Sequence, residues 1–235
     1  MPEKGLRGHG SPPNRIIHNG DKNEEDDQRD GALFGALSQG APKGSRFPIS
    51  PRGGGLSHQQ LAIVSRFDVD AAWSRSWDAG EIEPPRGFCF AAMRVGGARL
   101  LVYTVHLKSN LGEPKDNLIK REEAVRQLCR HVETMRGMFK TDRVLVAGDF
   151  NTDLPGVIQQ EEETLAILIR LGLFWTFQGV PRELRITFPG KGKYPPSCLD
   201  HGFVSGLGRP VASVWTGEGS DHLPLILPIL VGLEK

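Results

Sequence analysis

Apolar positions fall into two regimes along the chain. Before residue 58 the one apolar stretch, Ala32-Leu33-Phe34-Gly35-Ala36-Leu37, is short and broken by glycine, in a setting of Gly, Pro, Asn, Asp, Ser and Arg. Such a segment buries too little surface to offset the entropy of ordering it, so residues 1–57 are expected to be irregular or disordered. The run Glu24-Glu25-Asp26-Asp27 reads as a solvated stretch of like charges rather than a metal site. From Leu61 onward the pattern is that of a folded domain, expected over residues 58–235. Leu61-Ala62-Ile63-Val64-Ser65-Arg66 predicts a strand. Two more are expected over 87–95 and 99–108, joined by Gly96-Gly97, a dipeptide suited to the positive φ angles of a hairpin turn. The stretch from Trp73 to Pro85 reads as a loop whose Trp73 and Trp77 pack against the protein.

Helical spacing follows. Leu118, Val125, Leu128, Cys129, Val132 and Met135 recur on one face of a helix expected over 116–138, with Arg121, Glu122, Arg126, Arg130 and Glu133 on the opposite face. Arg143-Val144-Leu145-Val146-Ala147 is a buried strand. A second helix is expected over 161–171, opening with Glu161-Glu162-Glu163 at the positive end of its dipole and stopping at Gly172. Closing strands are expected over 199–204, 212–215 and 225–230. Hairpins mixed with strand–helix–strand segments favour an α/β sandwich.

Composition narrows the choices. With 38% hydrophobic and 24% charged residues the chain suits a globular domain, and a net charge of +1 gives no basic footprint of a dedicated DNA-binding protein. Cys89, Cys129 and Cys198 lack metal-type or redox-type spacing and read as reduced thiols. No run of about 18 apolar residues spans a membrane. As written, the N-terminus has no apolar signal stretch, so a cytoplasmic monomer is expected.

The candidate chemistry sits at the polar ends of the apolar runs. These ends are Val105-His106-Leu107-Lys108-Ser109, Gly148-Asp149-Phe150-Asn151-Thr152-Asp153, Leu199-Asp200-His201-Gly202-Phe203-Val204-Ser205 and Gly219-Ser220-Asp221-His222-Leu223-Pro224. Together they hold carboxylates for a hard cation, imidazoles for protons and phosphate, and an amide, the set that metal-assisted phosphate-ester hydrolysis requires. Asp149 and Asn151 fall on the same side of a strand, where Asp149 can orient a water or touch the cation and Asn151 can donate to a phosphate oxygen. His222 is the expected acid/base group, paired with Asp200, which fixes its tautomer; Asp221 is the expected cation ligand. His106 and Lys108 can neutralise phosphate charge. His201 reads as an outward-facing imidazole, Tyr194-Pro195-Pro196 as a rigid loop, and His9, His18, His58 and His131 as surface residues.

In this order the segments resemble the endonuclease/exonuclease/phosphatase superfamily, the deoxyribonuclease-like metal-dependent phosphoesterases, over about Gln59 to Leu230. The strand ending in Ser65-Arg66 is similar too. The resemblance implies a four-layer α/β sandwich of two packed mixed sheets flanked by helices, Mg²⁺ or Mn²⁺ as cofactor, and in-line attack of water on phosphorus. It further implies His106 as a phosphate contact, Asp149 as the group orienting the nucleophile and Asn151 as a transition-state amide. Asp200 corresponds to the partner of the catalytic histidine, Asp221 to a metal ligand and His222 to that histidine. The family also opens with an Asn-bearing strand and a strand ending in Gln-Glu, whose Glu is a main metal ligand; here Gln39 is followed by Gly40. The N-terminal part of the fold is therefore expected to be incomplete. The expected partner is a phosphate ester, either nucleic acid or a small phosphodiester. Arg75, Arg86, Lys108, Lys191 and Lys193 are candidates for a nucleic-acid groove. The alternative expectation is a catalytically impaired fragment, or a domain that keeps the fold and binds a phosphate-bearing or protein partner.

Overall fold

The computed structural model describes residues 61–153, 161–217 and 219–231. The expectations for residues 1–57, including the acidic run and Gln39, lie outside the described residues.

The central sheet starts with β1 (Asp68–Ser76), β2 (Gly87–Val95) and β3 (Ala98–His106), which form an antiparallel meander. Gly96 and Gly97 make the turn between β2 and β3 with φ of 58° and 85°, the left-handed region that glycine enters without a Cβ penalty. Helix α1 (Pro114–Phe139) then crosses over to β4 (Val144–Asp149), which runs parallel to β3. A parallel neighbour requires such a crossover, because β3 finishes at one end of the strands and β4 starts at the other. Helix α2 (Thr164–Arg170) leads to the short β5 (Phe174–Trp175), and β6 (Asp200–Ser205) lies between β4 and β5 in the order β1-β2-β3-β4-β6-β5. β7 (Ser213–Val214) and β8 (Leu225–Ile226) pair as a second, two-stranded sheet.

Side-chain alternation divides the core between the two faces of the sheet. Phe88, Phe90, Leu101, Tyr103, Val105, Val144 and Val146 point one way and meet Val125, Leu128, Val132 and Met135 of α1. Cys89, Ala91 and Met93 point the other way, onto Ile63. Helix α1 begins with Pro114, whose missing N–H costs nothing in the first turn. It ends at Lys140, left-handed at φ 50°, with its N–H bonded to Arg136 O. No described helix is long and apolar enough to cross a membrane. All three cysteines are free thiols.

Several elements differ from expectation. The segment 61–66 makes only single bridges at Ala62 and Ser65, and the strand lies further on. Trp73 belongs to β1 rather than a loop; it packs on Phe90 with ring centroids 4.5 Å apart, while Trp77 is buried in the core. A bulge between Val69 and Ala71 breaks the alternation that would have marked this strand. Helix α2 is shorter than expected, and Glu162, which precedes it, is drawn inward. Arg121, expected on the solvent face of α1, is 0% exposed and grips Glu162 through a two-pronged contact of 2.6 and 2.7 Å. His131 is no surface residue: its Nδ1 meets the Tyr103 hydroxyl at 3.1 Å, and its ring packs edge-on to Phe88 and Phe90.

Candidate active site

Register brings His106, Asp149 and Asp200 side by side at one end of the sheet. His106 of β3 is the parallel partner of Asp149 on β4, and Asp149 is the antiparallel partner of Asp200 on β6. All three point to the face opposite α1. Gly148 permits this pairing. It has φ 147°, and a Cβ there would lie 2.0 Å from Val105 O, so no other residue lets β4 approach β3 so closely.

After Asp149 the chain turns sharply. Phe150 enters the core, and Asn151 takes a left-handed backbone at φ 53°, a conformation that Asn tolerates better than most residues. Its N–H donates to Asp149 Oδ1 at 2.8 Å, and its side-chain amide donates to Asp149 Oδ2 at 3.1 Å and Leu107 O at 3.2 Å. His106 Nε2 lies 3.3 Å from Asp149 Oδ2. Burial, reinforced by the neighbouring Asp200, pushes the Asp149 carboxyl up to about 7, while the Asn151 N–H pulls the other way.

His222 comes from the loop before β8 and places Nδ1 2.7 Å from Asp200 Oδ2. That hydrogen bond is the main cause of an imidazole pKa raised to about 8, against opposing burial. Thr187 ties the two partners together. Its hydroxyl oxygen accepts from the N–H groups of Leu199 and Asp200, both at 2.9 Å, and its carbonyl accepts from Leu223 N at 2.6 Å. The Phe188 ring faces His222 at 5.4 Å between centroids. His106 behaves oppositely to His222: burial, then the charges of Arg86 and His222, lower its pKa to about 4, so it is neutral near pH 7. Arg86 reaches the site from the loop before β2, donating to Leu107 O at 2.9 Å and His106 O at 3.3 Å.

Other expected residues are placed differently. Lys108 turns its ammonium back onto its own loop, donating to Ser109 O at 3.0 Å and Leu111 O at 2.6 Å. The exposed Asp221 carboxylate lies 3.9 Å from Lys191 Nζ. His201 is fully buried instead of outward-facing: Trp175 Nε1 donates to its Nδ1 at 3.1 Å, and its Nε2 meets Thr152 O at 2.8 Å. Alternation turns His201 to the same face as Phe203, so its ring enters the main core among Phe150, Trp175 and Phe203 rather than water. Thr187 and Phe188 carry no local signal of a site in sequence, being a lone Thr and a lone Phe, and Arg121 signals only a polar helix face.

Ligand atoms of Asp149, Asp200 and His222 all lie within 4.8 Å of one another. Two carboxylates held this close in a half-buried setting repel one another, and their oxygen donors suit a hard divalent cation. The donor set fits such an ion, although Asp200 also serves His222 and Asp221 lies outside the group.

A mixed sheet with helices packed on it, carrying an acid–imidazole centre at its strand ends, defines an α/β sandwich of the deoxyribonuclease-I-like kind. The chain belongs to the Endonuclease/Exonuclease/phosphatase family, whose model matches residues 17–222. This is a family of phosphoester hydrolases. No curated protein matches the chain by sequence. Among solved structures, truncated TDP2 from Caenorhabditis elegans is similar at 15% identity and TM-score 0.56, covering 84% of this chain and 78% of that one. An endonuclease/exonuclease/phosphatase family protein from Bacteroides thetaiotaomicron is 18% identical with TM-score 0.56, over 89% of this chain and 92% of its own. A mannosyl-6-phosphatase from the same organism is 18% identical with TM-score 0.52, over 91% and 97% respectively. At these identities the likeness is one of fold.

Proposed function

We propose that the chain hydrolyses phosphate esters with a divalent cation, as a phosphodiesterase of the endonuclease type. The observation that supports this reading is the side-by-side set of His106, Asp149 and Asp200, completed by His222 at 2.7 Å from Asp200. Asp149 and Asp200 would hold Mg²⁺ or Mn²⁺, the chemistry supplied when it is bound being neutralisation of phosphate charge. Asp149, beside the cation and held by the Asn151 N–H, is suited to orient the attacking water. His222, raised to about 8 by Asp200, is protonated near neutrality and can meet the charge that builds on phosphorus-bound oxygen. His106, neutral and beside Asp149, is the phosphate contact, and the Asn151 amide steadies the carboxylate in the resting site.

The test is hydrolysis of bis(p-nitrophenyl) phosphate and nicking of a supercoiled plasmid, with Mg²⁺ and with chelator. His222→Ala is expected to lower the rate by about 10²–10⁴-fold, the usual contribution of acid–base groups. An unchanged rate would remove His222 from the role. Plasmid nicking outpacing the small ester would favour a nucleic-acid substrate held by Arg86, Lys191 and Lys193; the reverse would favour a small phosphodiester.

One observation favours a second reading, binding without turnover: Asp200 is shared between His222 and the donor group, and Asp221 stands apart on Lys191. Nucleotide binding with no hydrolysis under any divalent cation would support it.

A further inference from the structure

Beyond the last strand pairing, the loops that follow β3 and β4 are joined by side chains. Arg121 lies at the centre of the connection, fully buried. Its Nε and Nη2 are occupied by Glu162, which also accepts from the Thr164 hydroxyl at 2.7 Å. Its remaining arm, Nη1, donates to Lys108 O and Asn110 Oδ1, both at 3.0 Å. A guanidinium has donors only, so the oxygen of the Asn110 carboxamide must face it. The Asn110 nitrogen is thereby turned toward the other loop, where it donates to Asn151 O at 2.9 Å. That carbonyl belongs to the left-handed residue whose amide lies on Asp149. The buried pair thus sets which way a surface carboxamide points, and the carboxamide holds the peptide plane after Asn151.

We infer that Arg121 and Asn110 are positioning residues of the active site: through Asn110, the Arg121–Glu162 pair holds Asn151 in the left-handed turn that aims its amide at Asp149. This rests on the reading of Asp149 and Asn151 as active-site groups. Neither Arg121 nor Asn110 belongs to the acid–imidazole centre itself. Misplacing a reacting group by a fraction of an ångström is costly in rate, so the connection acts on turnover rather than on substrate affinity.

Asn110→Asp separates this role from a merely structural one. The variant keeps an oxygen for Arg121, in a charge-assisted bond, and sets a second oxygen with no proton against Asn151 O. Asn110 is exposed, so the fold tolerates the change. The expected result is a kcat lowered roughly tenfold or more with KM within about twofold and the melting temperature held or raised. Arg121→Lys, which keeps the charge but loses the fork, should lower kcat in the same way. A kcat unchanged in Asn110→Asp overturns the inference, as does a loss confined to KM.

A second readout does not depend on turnover. Hydrogen exchange of the Asn151 backbone and side-chain amide protons, followed by NMR, should accelerate in Asn110→Asp. If the wild-type chain hydrolyses neither phosphodiester, the phosphoesterase reading fails on its own account. The positioning claim is then decided by that exchange, and unaltered protection overturns it.

Discussion

Gly148 shows how one residue sets the terms for its neighbours. Its φ of 147° and the 2.0 Å from a notional Cβ to Val105 O mean that Gly148→Ala must push β4 away from β3. Strain at such a φ and overpacking against backbone each cost about 1–3 kcal/mol, so a loss of about 3 kcal/mol or more is expected in urea unfolding. Activity should fall further than stability does, because Asp149 is the next residue. The polar groups at the strand ends were legible in sequence because each interrupts an apolar run: His106, Asp149, Asp200 and His222 all announce themselves this way. Arg86 and Thr187 do not. One reaches the site from a loop, and the other works through its backbone carbonyl and a hydroxyl that accepts two N–H groups, a role with no compositional signature. Asp221 and His222 also show the limit of adjacency. Neighbours in sequence diverge in space, and the carboxylate is on the surface beside Lys191 while the imidazole turns to Asp200.

A buried ion pair fastens α1 to the segment just before α2, and this explains why helical spacing alone does not place Arg121. The spacing puts it away from the main apolar stripe, but its counter-charge arrives 41 residues later in Glu162, and the two are buried together. Removing one partner strands the other in a dry setting. Arg121→Met or Glu162→Leu alone should each cost about 3–5 kcal/mol, while the double variant should recover most of that loss. Denaturant titrations of the three proteins measure the difference directly, and simple additivity would show that the pair is not coupled. Strand β1 was illegible for another reason. Its bulge shifts the register between Val69 and Ala71, so Trp73 falls out of phase with a period of two, and the polar Ser and Arg residues after it read as loop. The β2–β3 hairpin, with unbroken runs and a Gly-Gly turn, was read within a few residues of its bounds.

For the molecule as a whole, the core between the main sheet and its helices holds two histidines in apolar surroundings, His131 and His201. Burial, with Arg75 nearby, lowers His131 to about 4, and burial also lowers His201, which Thr152 and Asp153 only partly counter. An unfolded chain takes up these protons near pH 6.5, before the folded one does. The contribution of His131 to stability is therefore full above about pH 6.5 and lost as pH falls toward 4, while Asp149 and His222, whose pKa values folding raises, act in the opposite sense. His131→Phe should flatten that decline in melting curves recorded across pH; an unchanged slope would assign it to other groups. The overall class of fold was legible from the alternation of runs and helices, whereas the pairing order β1-β2-β3-β4-β6-β5 was not, because no local pattern states which strand lies beside β4. That order has a consequence for how such a protein can diversify. His106, Asp149 and Asp200 occupy one rung of a ladder whose spacing, about 4.8 Å per strand, is fixed by main-chain hydrogen bonds. The distances between these groups are therefore inherited with the pairing itself. Insertions, deletions and new side chains in the surrounding loops leave them untouched, and what the chain accepts as substrate is free to change around a centre that does not.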